Sequence, residues 1–410
     1  MIRKMVSATR VLRNDSPWEQ VAHESNLPVF GGELIEFTSR LSSAILQNRQ
    51  VKRFPELVAL GFWLRRGNIL AMKKDFGDRI ISNEVKLPRG LIFHIAPANV
   101  DTIFVYSWII SLLCGNRNIL RISSRNSIQL EYLLAELERV LGDPASRSIA
   151  KRLSLLRYPA NDQITGAISS KVDARVIWGG DTTVRHIRSI AIPPTAQDIP
   201  FPNKWSLAVL DVDYWEGLDS DAKRSLAESF ANDAYQFGQA ACSSPRAVVW
   251  LTQRTVRLDM SEFWEYVSDS LAGIFDFSDV DFVSKLVSSD CLAAQSVVQS
   301  VRSIRDNRVV TARIGIESLQ EIVQREDQCD GGFFFEMQTD TLDGLFGRIG
   351  RKLQTVSYAG VPTERWDGML REENPGSVDR IVPIGEALDF SSTWDGVYLF
   401  DAFTRCVTTR

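Results

Sequence analysis

Over residues 82–210, short apolar runs alternate with longer stretches whose apolar residues recur at helical spacing. Residues 91–95 (Leu-Ile-Phe-His-Ile), 118–122, 153–158, 174–178 and 206–210 read as strands. Helices are predicted from Asp101-Thr102 onward, over 127–141 with Leu130, Leu133, Leu134 and Leu137 on one face, around 162–170, and over 182–190. Apolar strands flanked by Gly and Pro and separated by helices imply a parallel, doubly wound sheet, whose crossovers cover both faces. A sheet of this kind binds its ligand beyond the carboxyl ends of its strands. The first 85 residues are mostly helical in pattern, notably 33–46 and 54–72, and carry no evident chemistry.

Past Asp211 a helix with Leu226, Phe230, Ala234 and Phe237 on one face is expected to run to Gly238. The chain breaks at Pro245 and restarts as a strand over 247–251, opening a second α/β segment that continues through Thr355. Residues 380–384 and 394–400 suit edge strands or a returning arm, and 79–87 reads as a polar-apolar hairpin outside the sheet. The expected division is therefore 1–210, with the hairpin at about 78–90, then 211–385, then a strand or arm over 386–410. No internal repeat or low-complexity linker interrupts it.

Composition narrows the class. At 410 residues, 44% hydrophobic and 24% charged, the chain suits two or three globular domains. A net charge of −4 gives no argument for nucleic acid or for an anionic membrane as a partner. The most apolar stretch, 103–114, falls well short of the ~20 residues a membrane helix needs. Residues 1–15 do not resemble a signal peptide. The five cysteines (114, 242, 291, 329 and 406) are odd in number and lack CxxC spacing. A reduced, cytoplasmic chain without disulfides or a metal site is expected. With three histidines, at 23, 94 and 186, a histidine-based triad is hard to build.

Four segments carry candidate chemistry. Cys242 follows the helix ending in Tyr-Gln-Phe-Gly-Gln-Ala-Ala and precedes Ser-Ser-Pro245, so a thiol sits at a helix-to-strand turn, as an acyl-transfer nucleophile requires. An isolated cysteine is as readily a small buried residue. Asn99, in the strand-to-helix turn His-Ile-Ala-Pro-Ala-Asn, suits either a ligand-facing amide or an ordinary turn residue. Gly179, Gly180, Asp181 and Thr182 end a strand and start a helix. Glycines there admit a ligand close to the backbone and first-turn N–H groups attract phosphate, although a capped turn has the same composition. Arg121, Ser123, Ser124 and Arg125 close the second strand and can hold a phosphate or form a hydrated loop.

Together these segments resemble the aldehyde dehydrogenase superfamily, and within it the acyl-CoA reductase branch typified by the long-chain fatty acid reductase of bacterial bioluminescence. Residues 90–99, 114–123, 173–188, 239–245, 353–358, 379–386 and 394–396 carry the resemblance, and 59–65 share its look. It implies an aldehyde-dehydrogenase-like α/β fold. A doubly wound parallel-sheet cofactor domain (within 1–210) would be followed by an α/β catalytic domain (211–385) and a small oligomerisation hairpin or arm. It implies Cys242 as the nucleophile that forms a thioester, with Asn99 and the Cys242 backbone N–H as oxyanion donors. Arg121 falls where the superfamily has a lysine touching the adenosine ribose, and Gly179, Gly180 and Asp181 fall at the turn facing the pyrophosphate.

Three departures bear on that reading. Residues 201–206 (Phe-Pro-Asn-Lys-Trp-Ser) stand where hydrolysing members carry a water-activating glutamate, and they hold no carboxylate. An acyl-enzyme that must wait for hydride benefits from that loss. The superfamily's glutamate for the nicotinamide ribose has no clear match. NAD-preferring members also place an acidic residue after the ribose-contacting segment, whereas 121–125 has two arginines, two serines and no acid. NADPH is the expected cofactor, with NADH possible. The expected reaction reduces a fatty acyl-CoA or acyl thioester to the aldehyde, with Phe104, Trp108 and Phe237 either lining an acyl site or belonging to the core. Reduction of an acyl phosphate such as glutamyl phosphate, and a catalytically silent acyl-transfer scaffold, are the alternatives. The resemblance further implies a homo-oligomer, dimer or tetramer, and an acyl-protein synthetase or acyl carrier as a partner.

Overall fold

The computed structural model describes residues 18–97, 102–123, 127–271, 275–295, 297–325, 329–373 and 376–410. The chain divides into two units: residues up to Pro202 together with Phe390–Arg410, and Asn203–Asp389.

In the first unit β1 (Glu84–Pro88) precedes β2 (Leu91–Ile95), β3 (Arg117–Arg121), β4 (Leu153–Leu156), β5 (Ala174–Trp178) and β6 (Gln197–Phe201). Strands β2 to β6 form one parallel sheet in the order β4-β3-β2-β5-β6. Every residue of β2 and β5 is buried, as central strands covered on both faces must be. Helices Ile103–Leu113, Ile128–Leu141, Asp162–Ser169 and Asp181–Ser189 supply the crossovers. Ser127 and Asn161 start two of them by accepting the N–H of Leu130 (3.2 Å) and Ile164 (3.0 Å), which would otherwise be orphaned. Gly90 has φ +138°, and a Cβ there would collide with the Asp173 carboxylate that accepts the Leu91 N–H at 2.7 Å. His94 is fully buried between Ser107 Oγ (2.6 Å from Nδ1) and Asn118 Oδ1 (3.1 Å from Nε2). Burial pushes its pKa down to about 3, so it is a neutral polar lock among β2, β3 and the first crossover helix.

The second unit contains β7 (Trp205–Asp211), β8 (Pro245–Leu251), β9 (Val298–Ile304), β10 (Val309–Ile314), β11 (Phe333–Thr339), β12 (Leu353–Ala359) and β13 (Arg380–Pro383). They form one sheet in the order β13-β12-β7-β8-β11-β10-β9, parallel except for the antiparallel edge pair β9–β10. Helices Ser220–Tyr235 and Ser261–Ser270 pack Phe230, Ala234, Phe263 and Trp264 on one face. Leu319, Ile322, Phe346 and Trp366 cover the other. No helix among the described residues is long and apolar enough to cross a membrane.

Three expectations are corrected. Strand 206–210 does not complete the first sheet: as β7 it pairs with β8 and β12 in the second. Its place in the first sheet is taken by β6, whose Gln-Asp-Ile-Pro-Phe lacks an apolar run and is a strand because β5 pairs with it. The break between units accordingly falls at Pro202/Asn203 and not at residue 210. The expected 79–87 hairpin is replaced by a long-range ribbon, in which β1 pairs antiparallel with the closing strand Thr404–Thr408. The segment from Phe390 onward returns to the first unit, where Phe390, Trp394, Leu399, Phe400 and Phe403 join its core.

Candidate active site

Cys242 is held by the way its helix ends. Helix Ser220–Tyr235 stops earlier than expected, and Phe237, Gly238 and Gln239 follow with φ of +58°, +62° and +66°. Left-handed backbone at non-glycine residues costs on the order of 1–3 kcal/mol each, so it persists only where the surroundings enforce it. Gln239 provides that enforcement. Fully buried, it donates through Nε2 to the carbonyls of Pro245 (3.1 Å) and Phe333 (3.2 Å), and its Oε1 accepts the Gly332 N–H at 2.9 Å. One amide therefore ties the turn to the starts of β8 and β11. Gly332, at φ +97°, has no room for a Cβ beside the Tyr235 hydroxyl. The Gly331 N–H bonds the Gly238 carbonyl at 3.2 Å, and the Ser244 N–H closes the Cys242 turn on Ala241 at 3.0 Å.

Within this frame Cys242 is partly exposed and outside any disulfide, just before β8. Its carbonyl accepts a 2.6 Å bond from Ser206 Oγ on β7, and Ser206 Oγ in turn accepts the Thr355 N–H of β12 at 3.1 Å. Cys242 follows a helix carboxyl end and precedes a strand, and the carboxyl end of the dipole favours cations.

Buried polar groups brace the same region. Lys285 donates to the carbonyls of Arg308 (3.1 Å) and Gly331 (2.8 Å), and burial lowers its pKa to about 8. Asp233, on the helix that leads to the turn, accepts the N–H groups of Gly385 (2.7 Å) and Ala387 (3.0 Å); burial raises its pKa to about 7. Residues 201–206 hold no carboxylate, and Lys204 there pairs with Asp379 at 2.9 Å.

The other predicted residues belong to the first unit. Chain connectivity runs from β2 to β3 and β4 on one side and from β5 to β6 on the other, so the reversal lies between β2 and β5. Beyond that point, where doubly wound sheets bind dinucleotides, stand the turn after β2 and the Gly179–Thr182 turn after β5. Gly180, exposed, is the N-cap of helix Asp181–Ser189 and offers no side chain to its first-turn N–H groups. Asp181 and Thr182 are exposed in that turn, where the Asp181 carboxylate already complements the helix dipole. Arg121 ends β3 with its guanidinium 4.9 Å from the Tyr158 ring and 3.5 Å from the Tyr158 carbonyl. Ser123 is half-buried beyond it. Asn99, Ser124 and Arg125 lie outside the described residues.

Arg157, just past β4 on the neighbouring strand end, was not picked out by the sequence pattern. Its Nη1 is 3.7 Å from Glu131, while its Nε and Nη2, like Nε of Arg121, are buried without a hydrogen-bond partner. Buried guanidinium nitrogens left unpaired are costly, and these three, from two arginines on adjacent strand ends, suit a phosphate. Phe104 and Trp108 are buried in the core of the first unit. Phe237 is half-buried in the strained turn.

The fold is that of an aldehyde-dehydrogenase-like α/β protein. Solved structures of this class align over nearly the whole chain. An NAD-dependent aldehyde dehydrogenase from Sinorhizobium meliloti matches at TM-score 0.63 and 13% identity, covering 100% of this chain and 86% of its own. Aldehyde dehydrogenase 21 from Physcomitrella patens, in complex with succinate, matches at 0.63 and 12%, covering 100% and 89%. An NAD-dependent benzaldehyde dehydrogenase from Corynebacterium glutamicum matches at 0.59 and 13%, covering 95% and 87%. No curated protein sequence matches the chain. The family model for acyl-CoA reductase (LuxC) matches residues 70–277, and the chain belongs to that family. It is an oxidoreductase acting on acyl and aldehyde groups.

Proposed function

We propose that the protein reduces a fatty acyl-CoA, or a related acyl thioester, to the aldehyde through a covalent thioester on Cys242, with NADPH as the preferred reductant. The observation that carries this reading is a partly exposed thiol on a turn fixed by Gln239 and Ser206, in an acyl-CoA reductase family member. The Cys242 thiolate attacks the acyl carbonyl carbon. The oxyanion that develops is met by the Asn99 side chain and the Cys242 backbone N–H, and collapse expels the carrier thiolate, which leaves with a proton. Preorganised donors of this type are worth about 100- to 1,000-fold each in rate. With no carboxylate in residues 201–206 to activate water, the acyl-enzyme persists. A reduced nicotinamide, when bound, would supply the hydride equivalent for this reduction; Cys242 would hold the acyl group until then and regain its thiolate as the C–S bond breaks and the aldehyde leaves. Gly179, Gly180 and Thr182 would hold its pyrophosphate through backbone N–H groups, and Arg121, Ser123, Ser124 and Arg125 its adenosine end. The partnerless nitrogens of Arg121 and Arg157 fit a 2′-phosphate there.

Incubation with acyl-labelled CoA should place the label on Cys242, releasable by hydroxylamine. The C242A variant should take up no label and form no aldehyde while keeping its melting transition. Aldehyde formation by C242A at near wild-type rate would refute the mechanism.

A further inference from the structure

Gln239 fixes the residues that lead up to Cys242, whereas Ser206 reaches the backbone of Cys242 itself. Ser206 is the second residue of β7 and is 1% exposed. Its hydroxyl stands between the buried Thr355 N–H and the Cys242 carbonyl, accepting from one at 3.1 Å and donating to the other at 2.6 Å. The three groups point head to tail, an arrangement in which each bond polarises and strengthens the next. Peptide planarity carries the constraint onward. The Cys242 carbonyl and the Ser243 N–H share one plane and point in opposite directions, so holding the first orients the second and narrows the space open to the Cys242 side chain.

We infer that Ser206 is a positioning residue for the nucleophile: its hydroxyl holds the Cys242 peptide in the orientation from which the thiolate attacks. The inference rests on Cys242 being the nucleophile. It acts on the acylation step and leaves substrate binding alone, so it separates from a merely structural role.

Threonine and valine at position 206 have the same shape, and one of them retains the hydroxyl. Single-turnover acylation by labelled acyl-CoA and the pH profile of Cys242 alkylation by iodoacetamide, read by mass spectrometry, are compared across wild type, S206T and S206V. One lost hydrogen bond predicts acylation slowed about 10-fold or more in S206V, with the alkylation profile displaced and the apparent acyl-CoA affinity within about 2-fold. S206T should stay within about 3-fold of wild type. If S206V lacks a cooperative melt, S206A gives the same contrast with S206T. Wild-type acylation and an unmoved profile in S206V, or equal losses in S206T and S206V, would overturn the inference. Absence of label from wild-type Cys242 would instead overturn the nucleophile reading on which it stands.

Discussion

At the scale of single residues, charge decides what the carboxyl edge of the first sheet can hold. Arg121 ends β3 and Arg157 follows the neighbouring parallel strand β4; Nε of the first, and Nε and Nη2 of the second, are buried without a protein acceptor. A 2′-phosphate would offer anionic acceptors to such nitrogens, where an unphosphorylated ribose offers only neutral hydroxyls. Charge-assisted bonds of this sort contribute about 1.5–3 kcal/mol each. R121Q should therefore weaken NADPH binding by about 10-fold or more while changing NADH binding by less than about 3-fold. Fluorescence titration with each reduced nucleotide measures this directly, without turnover. Equal losses for both nucleotides would show that Arg121 serves the sheet and not the phosphate.

At the scale of elements, the helix that leads to the cysteine is fastened by a group that titrates near neutrality. Asp233 anchors the 385–387 loop, and burial raises its pKa from about 3.8 to about 7. The folded state thus keeps a proton that the unfolded chain releases. Its contribution to stability is full below about pH 4 and is lost as pH rises to about 7, beyond which it is constant. Urea midpoints of the wild type should accordingly fall between pH 5 and 7 by more than those of D233N. Asp389 and Arg380 act on the same carboxyl, the first raising and the second lowering its pKa, so D389N should shift the Asp233 titration downward. Parallel midpoint-against-pH curves for wild type and D233N would place the titration elsewhere.

The turn after this helix shows where local pattern ends. Apolar spacing over Leu226, Phe230 and Ala234 is enough to read a helix, since one face must meet a sheet. Its end at Tyr235, and the left-handed run through Gln239, depend on bonds to Phe333 and Gly332, about a hundred residues downstream. Nothing in Gln-Phe-Gly-Gln itself distinguishes that outcome from one more helical turn capped by glycine.

At the scale of the whole molecule, the β1 ribbon is the feature that local folding does not explain. A two-stranded sheet is marginal by itself, and both strands of this one carry exposed positions. Arg89 ties the ribbon to the short helix Leu399–Ala402 by donating to the carbonyls of Ala402 and Thr404, each at 2.6 Å. We expect the ribbon to be completed by a second copy of the chain. Light scattering should report a dimer or tetramer at micromolar concentration, and deletion of residues 404–410 should yield monomers with a lower melting temperature. A wild-type monomer at that concentration would rule this out.

The sequence by itself determined strands β2, β3, β4 and β5, their helical crossovers, and the position of Cys242 in the turn just before β8. Each follows from local features: continuous apolar runs, 3.6-residue spacing, and a thiol between glycine and proline breaks. Tertiary structure alone decided which sheet residues 205–211 join, that Gln-Asp-Ile-Pro-Phe is a strand, and that β1 pairs across the chain with Thr404–Thr408. It also made Ser206, Gln239 and Arg157 matter, because a hydrogen-bond partner far along the chain leaves no trace in composition or spacing. Strand pairing and buried polar bonds are satisfied by whatever backbone the fold brings near, and only the folded chain specifies that neighbour.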